Sequence, residues 1–208
     1  VMIPDSKTAL YYNNEKVFET YEHGVLVENT DGNGEITIRG SEGNGSFVYF
    51  EADDGDDNAD RWRIDVSASA NHFIIADYAD GSWEQNIKCN HGGNVEIYYD
   101  NSKKLETTSS GVTVTGSVTE TSDIALKTNI TPIDNVLDKI QQITGYTYQF
   151  KDTGHDSMGV TAQDVEKVFP ELVHGEEGSK TLQYSGLIGA LIESVKELSK
   201  KVAALETA

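Results

Sequence analysis

The sequence predicts two halves: a mainly β half up to residue 121 and an α+β half from residue 122 that closes on a long coiled-coil helix. Three observations predict this. A β-rich block occurs twice at a constant offset, apolar and polar residues alternate between the two copies, and a heptad seam ends the chain.

The repeat is Leu10-Tyr11-Tyr12-Asn13-Asn14-Glu15-Lys16-Val17-Phe18-Glu19-Thr20 with Gly24-Val25-Leu26-Val27. It aligns with Ile97-Tyr98-Tyr99-Asp100-Asn101-Ser102-Lys103-Lys104-Leu105-Glu106-Thr107 and Gly111-Val112-Thr113-Val114, residue 10 answering residue 97, an offset of 87. Each copy reads as strand, Asn-rich turn, strand, turn, short strand. Two copies are too few for a solenoid. They are read as a stem module on either side of an inserted domain, with strands from three chains closing one another's cores.

Residues 31–94 read as a compact antiparallel unit. Alternation marks strands in Glu35-Ile36-Thr37-Ile38-Arg39, Ser46-Phe47-Val48-Tyr49-Phe50, Trp62-Arg63-Ile64-Asp65-Val66 and Phe73-Ile74-Ile75-Ala76. An acidic loop with Glu51, Asp53, Asp54, Asp56, Asp57 and Asp60 interrupts them. Its chemistry suits Ca²⁺, but Gly55 is out of register for an EF-hand, and a solvated acidic turn is the preferred reading. No metal site or cofactor is assigned. The aromatic residues Tyr11, Tyr12, Tyr49, Trp62, Tyr78, Trp83, Tyr98 and Tyr99 are read first as core and cross-strand partners and only second as a sugar platform. His23, His72, His91, His155 and His174 lack metal-ligand spacing.

Residues 108–121 form a polar, β-branched run suited to a narrow stem. Thr131 is then the expected N-cap of a helix with Pro132 at its first position, carried by Ile133, Val136, Leu137, Ile140 and Ile143 until Gly145. Tyr146–Phe150 and Met158–Ala162 read as a hairpin around Gly154, and a short helix from Gln163 ends before Pro170. Tyr184, Ile188, Leu191, Val195, Leu198, Val202 and Leu205 follow in alternating steps of four and three, which is a coiled-coil seam. The seam does not distinguish a dimer from a trimer.

With 208 residues and 37% hydrophobic content the chain can bury cores in two modest domains. A formal charge of −19 argues against nucleic acid and anionic membranes as partners. Cys89 is alone, so no intrachain disulfide forms. No apolar run approaches the ~18 residues of a membrane span, and membrane insertion is not expected.

Ser122 and Lys127 are the candidate nucleophile and base. A free lysine titrates near about 10.4 and becomes a base only when desolvated or set beside another cation. A five-residue step leaves two helical side chains about 140° apart and puts strand side chains on opposite faces. The pair can therefore meet only across a turn or a subunit boundary, and on its own the preferred reading is a turn serine and a solvated lysine.

Ser122-Asp123, Leu126-Lys127 and Asn129-Ile130 are followed by Met158-Gly159-Val160-Thr161-Ala162-Gln163-Asp164-Val165, Phe169-Pro170-Glu171-Leu172-Val173 and Tyr184-Ser185-Gly186-Leu187-Ile188. Over about residues 121–206 this series resembles the endosialidase-type intramolecular chaperone, the self-cleaving S74 peptidase domain of phage tail spikes and fibres. Tyr98–Thr107 and Asp56–Trp62 are more loosely similar to modules of tail-fibre proteins. The resemblance implies a homotrimer, folding of an upstream β-stem, and one cut of Thr121–Ser122 by the Ser122/Lys127 dyad. It also implies location in the virion after assembly in the host cytoplasm, and a host-surface glycan or protein as receptor. The family often has Arg where this chain has Ala125.

The expected architecture is thus a mainly β trimeric stem with an antiparallel β module, then an α+β chaperone domain ending in a coiled-coil helix. The expected segments are a stem repeat at 1–30, the β module at 31–94, the second repeat and stem at 95–121, and the chaperone at 122–208. Asn129, Gln163 or local amides are the candidate oxyanion donors. Two other readings stay open: a non-cleaving receptor-binding tip with a permanent trimerisation cap, and a glycan-active domain within 31–94.

Overall fold

The computed structural model describes residues 8–21, 24–27, 29 and 32–207; His23 and parts of the expected stem segment 1–30 lie outside them. The chain divides into two compact units, Val1–Ser117 and Val118–Ala208. The first is built of antiparallel sheet, and the second mixes short hairpins with three helices.

In the first unit, β1 (Ala9–Tyr12), β2 (Glu15–Tyr21) and β3 (Gly24–Val27) form a three-stranded sheet. A seven-stranded sheet follows, with β4 (Ser46–Glu51), β5 (Arg61–Ser67), β6 (His72–Ala79), β7 (Ser82–Asn90), β8 (Val95–Tyr99), β9 (Ser102–Thr108) and β10 (Gly111–Val114) paired in sequence order. The second repeat copy therefore forms one flank of the larger sheet. Its ladder reproduces that of the first copy. Leu10 pairs with Phe18 as Ile97 pairs with Leu105, and both hairpins carry a bulge immediately after that pair. Asn13 and Asn14 turn with φ of 49° and 68°, Asp100 and Asn101 with 51° and 51°, the left-handed pair that a two-residue hairpin needs. Even the side-chain bonds repeat: Thr8 N donates to Thr20 Oγ1, and Val95 N to Thr107 Oγ1.

Alternation divides the large sheet into two faces. On one, a row of Val48, Ile64, Ile75, Ile87, Ile97, Leu105 and Val114 crosses all seven strands, each residue paired with the next. On the other, the row is Phe47, Asp65, Ile74, Lys88, Glu96, Glu106 and Thr113, paired in the same way. This second face is held by side-chain bonds. The Tyr98 hydroxyl donates to Glu96 at 2.6 Å, Asn94 bridges Glu96 and Glu106, and Lys103 pairs with both carboxylates. These donors, Tyr98 foremost and then Asn94, Lys103 and Lys88, hold the Glu96 carboxyl down at about 2, while burial and Glu96 together push Tyr98 up to about 12. Towards the β4 edge, the Arg63 guanidinium lies 4.3 Å from the Trp83 ring centre, and Tyr49 and Tyr78 pack on the same indole. Arg63 Nε is 3.0 Å from Asp65 Oδ2, close enough for ion pairing but not aligned for a hydrogen bond.

Two local expectations are corrected here. Glu35–Arg39 is not a strand; Ile36 and Ile38 stand exposed, and among the described residues no strand pairs with them. β7 was not anticipated, although Asp80-Gly81 opens it with φ of 46° and 84°, a hairpin signal in its own right.

The second unit holds α1 (Val136–Ile140), the hairpin β11 (Tyr146–Gln149) and β12 (Asp156–Gly159), α2 (Ala162–Glu166), the two-residue pair β13 (Val173–His174) and β14 (Thr181–Leu182), and α3 (Gly186–Glu206). Val136, Val165, Phe169 and Ala190 form its buried core, bringing α1, α2 and α3 together. The first helix starts later than expected. Its N-terminal amides at Val136 and Leu137 are taken by the two carboxylate oxygens of Glu197, both at 3.0 Å, so a side chain of α3 caps it and Thr131 does not. These two bonds hold the Glu197 carboxyl below its usual range. The second hairpin strand is also earlier, since Thr161 is used to cap α2 through Asp164 N. α3 turns Ala190 and Ser194 inward and leaves Ile188, Leu191, Val195, Leu198, Val202 and Leu205 exposed. Among the described residues no helix is long and apolar enough to cross a membrane.

Val165 is fully buried, so Val165→Ala should cost about 2 kcal/mol in urea unfolding of the second unit, through lost burial and the cavity left behind. Glu96 gives a pH signature. Its folded value lies below the unfolded 4.5, so its stabilisation is whole above about pH 4.5 and disappears as pH falls towards 2. Glu96→Gln should lower the stability of the sheet by about 1–2 kcal/mol at pH 7, less than the full shift implies because nearby water screens it. Unfolding midpoints of the two chains should converge near pH 2.

Candidate functional site

The segment from Val118 to Asn135 contains one regular element, a single 3-10 turn at Ile124–Leu126. Asp123 makes that turn. Its Oδ1 accepts from Ala125 N at 2.8 Å, while Leu126 N and Lys127 N close on the carbonyls of Asp123 and Ile124. Asp followed two residues later by a free amide is an Asx turn, and the sequence carried that signal unread. The flanking residues are extended, Asp123 at φ −62° and ψ 136°, Lys127 at φ −120° and ψ 144°.

One tight turn between extended arms solves the spacing problem that neither a helix nor a strand solves. Lys127 Nζ lies 2.8 Å from Ser122 Oγ and donates to it. That is hydrogen-bond reach, the distance at which a proton passes between a hydroxyl and an amine once the amine is neutral. Thr121, Ser122 and Lys127 are exposed in the single chain. So are Ile124, Leu126 and Ile130, three apolar side chains within this short stretch.

Of the candidate oxyanion donors, Asn129 lies just beyond Lys127 with φ of 53°. Gln163 sits in α2 with its amide nitrogen donating to Glu177 Oε1 at 3.2 Å. Elsewhere, the acidic loop folds into two 3-10 turns, with Arg61 Nη2 bound to Gly55 O at 2.7 Å. Asp56, Asp57 and Asp60 bring carboxylate oxygens within 4.8 Å of one another. His72 Nε2 approaches Asp65 Oδ1 at 4.0 Å. Among the described residues no histidine joins a cluster of metal-ligating groups.

Residues 122–174 match the family model described as chaperone of endosialidase, Peptidase_S74. The chain is 31% identical over 142 residues to the long tail fiber protein Gp37 of Enterobacteria phage K3, covering 61% of this chain and 11% of that one. It is 38% identical over 96 residues to Gp37 of Enterobacteria phage T2, covering 41% and 7%, and 33% identical over 87 residues to Gp37 of Escherichia phage AR1, covering 36% and 8%. It thus spans about a tenth of the length of these relatives.

If Asp123 sets the approach of Ser122 to Lys127, Asp123→Ala should slow any reaction of this pair about tenfold by loosening the turn. Asp123→Asn, which can accept the same amide, should restore most of the rate in a time course followed by mass spectrometry.

Proposed function

We propose that this chain, whose residues 122–174 match the chaperone-of-endosialidase family model and which is similar to part of the phage long tail fibre proteins, is the C-terminal part of a viral tail fibre. Its last 87 residues, 122–208, draw three copies together, let the β-rich half fold, and then cut Thr121–Ser122 once per chain. The observation that carries the chemistry is the 2.8 Å approach of Lys127 Nζ to Ser122 Oγ.

The steps follow from the groups present. Lys127, once neutral, takes the Ser122 Oγ proton, and Oγ attacks the carbonyl carbon of Thr121. The Thr121–Ser122 C–N bond breaks, the nitrogen receives the proton from the Lys127 ammonium, and Thr121 is left as an ester on Oγ. Water adds to the ester, giving a Thr121 carboxylate and returning the Ser122 hydroxyl beside a new α-amine. Amides near the turn or Asn129 would hold the oxyanion.

The exposure of the dyad makes the reaction conditional. A lysine amine in water keeps its proton, and desolvation is what releases it. Ile124, Leu126 and Ile130 are apolar groups that a neighbouring chain would cover, drying the site. The seam of α3 gives the means: six apolar residues left in water at heptad spacing call for partner helices. Cleavage would then occur only in completed trimers. Loss of the chaperone would leave the stem kinetically hard to unfold. In this reading residues 1–30 and 95–121 are stem repeats around the module at 31–94, the product resides in the virion after assembly in the host cytoplasm, and a host-surface glycan or protein is its receptor.

Ala125, at a position where the family often has Arg, favours a second reading in which the domain trimerises but never cuts and remains as a cap. Intact mass under denaturing conditions separates the two. Two fragments meeting at Thr121–Ser122 are expected from the native chain, with none from Ser122→Ala or Lys127→Met. A single uncut mass from the native chain, in a particle of three copies, would establish the cap.

A further inference from the structure

Lys127 and the start of α1 at Val136 are nine residue steps apart, with no regular element between them, a tether that reaches up to about 30 Å when extended. Alone, such a tether would leave the dyad without a fixed place in the domain. Two contacts with α3 shorten it. The Ile133 side chain rests on the first turn of that helix, its Cδ1 3.7 Å from where a Cβ on Gly189 would stand. About two turns further along, Glu197 accepts from Val136 N and Leu137 N, both at 3.0 Å. Only residues 128–132 then remain unfastened between the base and the helix. The choice of partner is telling, because Lys200 and Lys201 stand three and four residues on, where a helical glutamate ordinarily finds its ion pair. The carboxylate goes to α1 instead, and Lys201 Nζ lies 3.8 Å from Asp138 Oδ1 of the same helix. Glu197 also falls between Val195 and Leu198 of the exposed seam, so one helix carries both the apolar stripe and the clamp.

We infer that Glu197 is a positioning residue for the cut: by fastening the arm that bears the dyad to α3, it sets where Ser122 and Lys127 lie relative to the seam, and so relative to the chains gathered on it. This rests on the self-cleaving reading above. Local geometry brings Lys127 Nζ to Ser122 Oγ in a single chain but leaves both residues exposed. The reaction therefore needs the pair delivered to a dry place, and a misplacement of about 1 Å can cost about a hundredfold in rate. Glu197 touches neither member of the pair; it acts through the arm. Without its carboxylate, the first two amides of a five-residue helix have no acceptor. That turn then loosens, and Ile133, three residues upstream, loses its footing on α3.

The test follows the cut in the full chain by intact mass over a pH series, on particles shown by sedimentation equilibrium to hold three copies. Glu197→Ala removes both acceptor oxygens, while Glu197→Gln keeps one. Val165→Ala, in α2, weakens the same unit without touching the clamp and controls for lost stability. At pH 7 we expect Glu197→Ala to cut at least about tenfold slower than the native chain, with Glu197→Gln between them. The pH of half-maximal rate should also move up towards the ~10.4 of a free lysine, because Lys127 is no longer delivered to a dry site. Asp123, the acidic neighbour within the turn, keeps its bond to Ala125 N in every variant. Val165→Ala should leave that midpoint in place, since fewer folded particles scale the rate equally at every pH. Should Glu197→Ala fail to assemble, Glu197→Gln carries the same comparison. Variant trimers that cut at the native rate would overturn this inference and leave the proposed function standing. A slower cut with an unmoved midpoint would also overturn it, reducing Glu197 to a helix cap. A native chain that is never cut would instead remove the self-cleaving reading, and this inference with it.

Discussion

A single-layer antiparallel sheet has two faces, and water can be good solvent for only one of them. That constraint governs the first unit of this protein. One face solves it internally, by pairing every buried carboxylate: Asp65 with Arg63, Glu96 with Tyr98, Lys103 and Asn94. The other face has no internal solution, because a row of seven aliphatic side chains cannot be hidden by its own neighbours. The second unit has a similar asymmetry on a smaller scale. Its core of Val136, Val165, Phe169 and Ala190 is closed, while the far side of α3 is apolar and bare.

The candidate site depends on how little structure surrounds it. Between Ser117 and Val136 the chain makes one turn, and that turn is held by a single aspartate. The apposition of Ser122 and Lys127 is thus local geometry, available to a single chain. What a single chain lacks is dryness. On the proposed reading the pair needs desolvation before it acts, so control over its chemistry would pass to whatever covers it.

Several features were legible in sequence because they rest on local chemistry. The repeat at an offset of 87 predicted its own hairpins, and the structure returns the same turn, bulge and threonine bond in each copy. The heptad steps predicted α3. Other features were illegible because they rest on partners distant in sequence. Nothing near Thr131 reveals that Glu197, over sixty residues on, caps α1. Glu35–Arg39 has the alternation of a strand, but alternation supplies no neighbour to pair with. β7 was missed for the opposite reason: its polar Glu84, Gln85, Asn86 and Lys88 mask the period, although Asp80-Gly81 announces the hairpin. The meeting of Ser122 and Lys127 was anticipated only as a condition on turn geometry, and Asp123 is the residue that meets the condition.

The agreement between the two repeat copies has a consequence for how such a chain is put together over generations. Each copy has the same register, the same bulge and the same two-residue turn. A genetic exchange that breaks within one copy and rejoins within the other would keep the frame of the ladder and the sidedness of every strand. Only the part of the intervening segment that pairs with the second copy, β7 at the Ile87–Cys89 ladder, would have to keep its pattern in such an exchange.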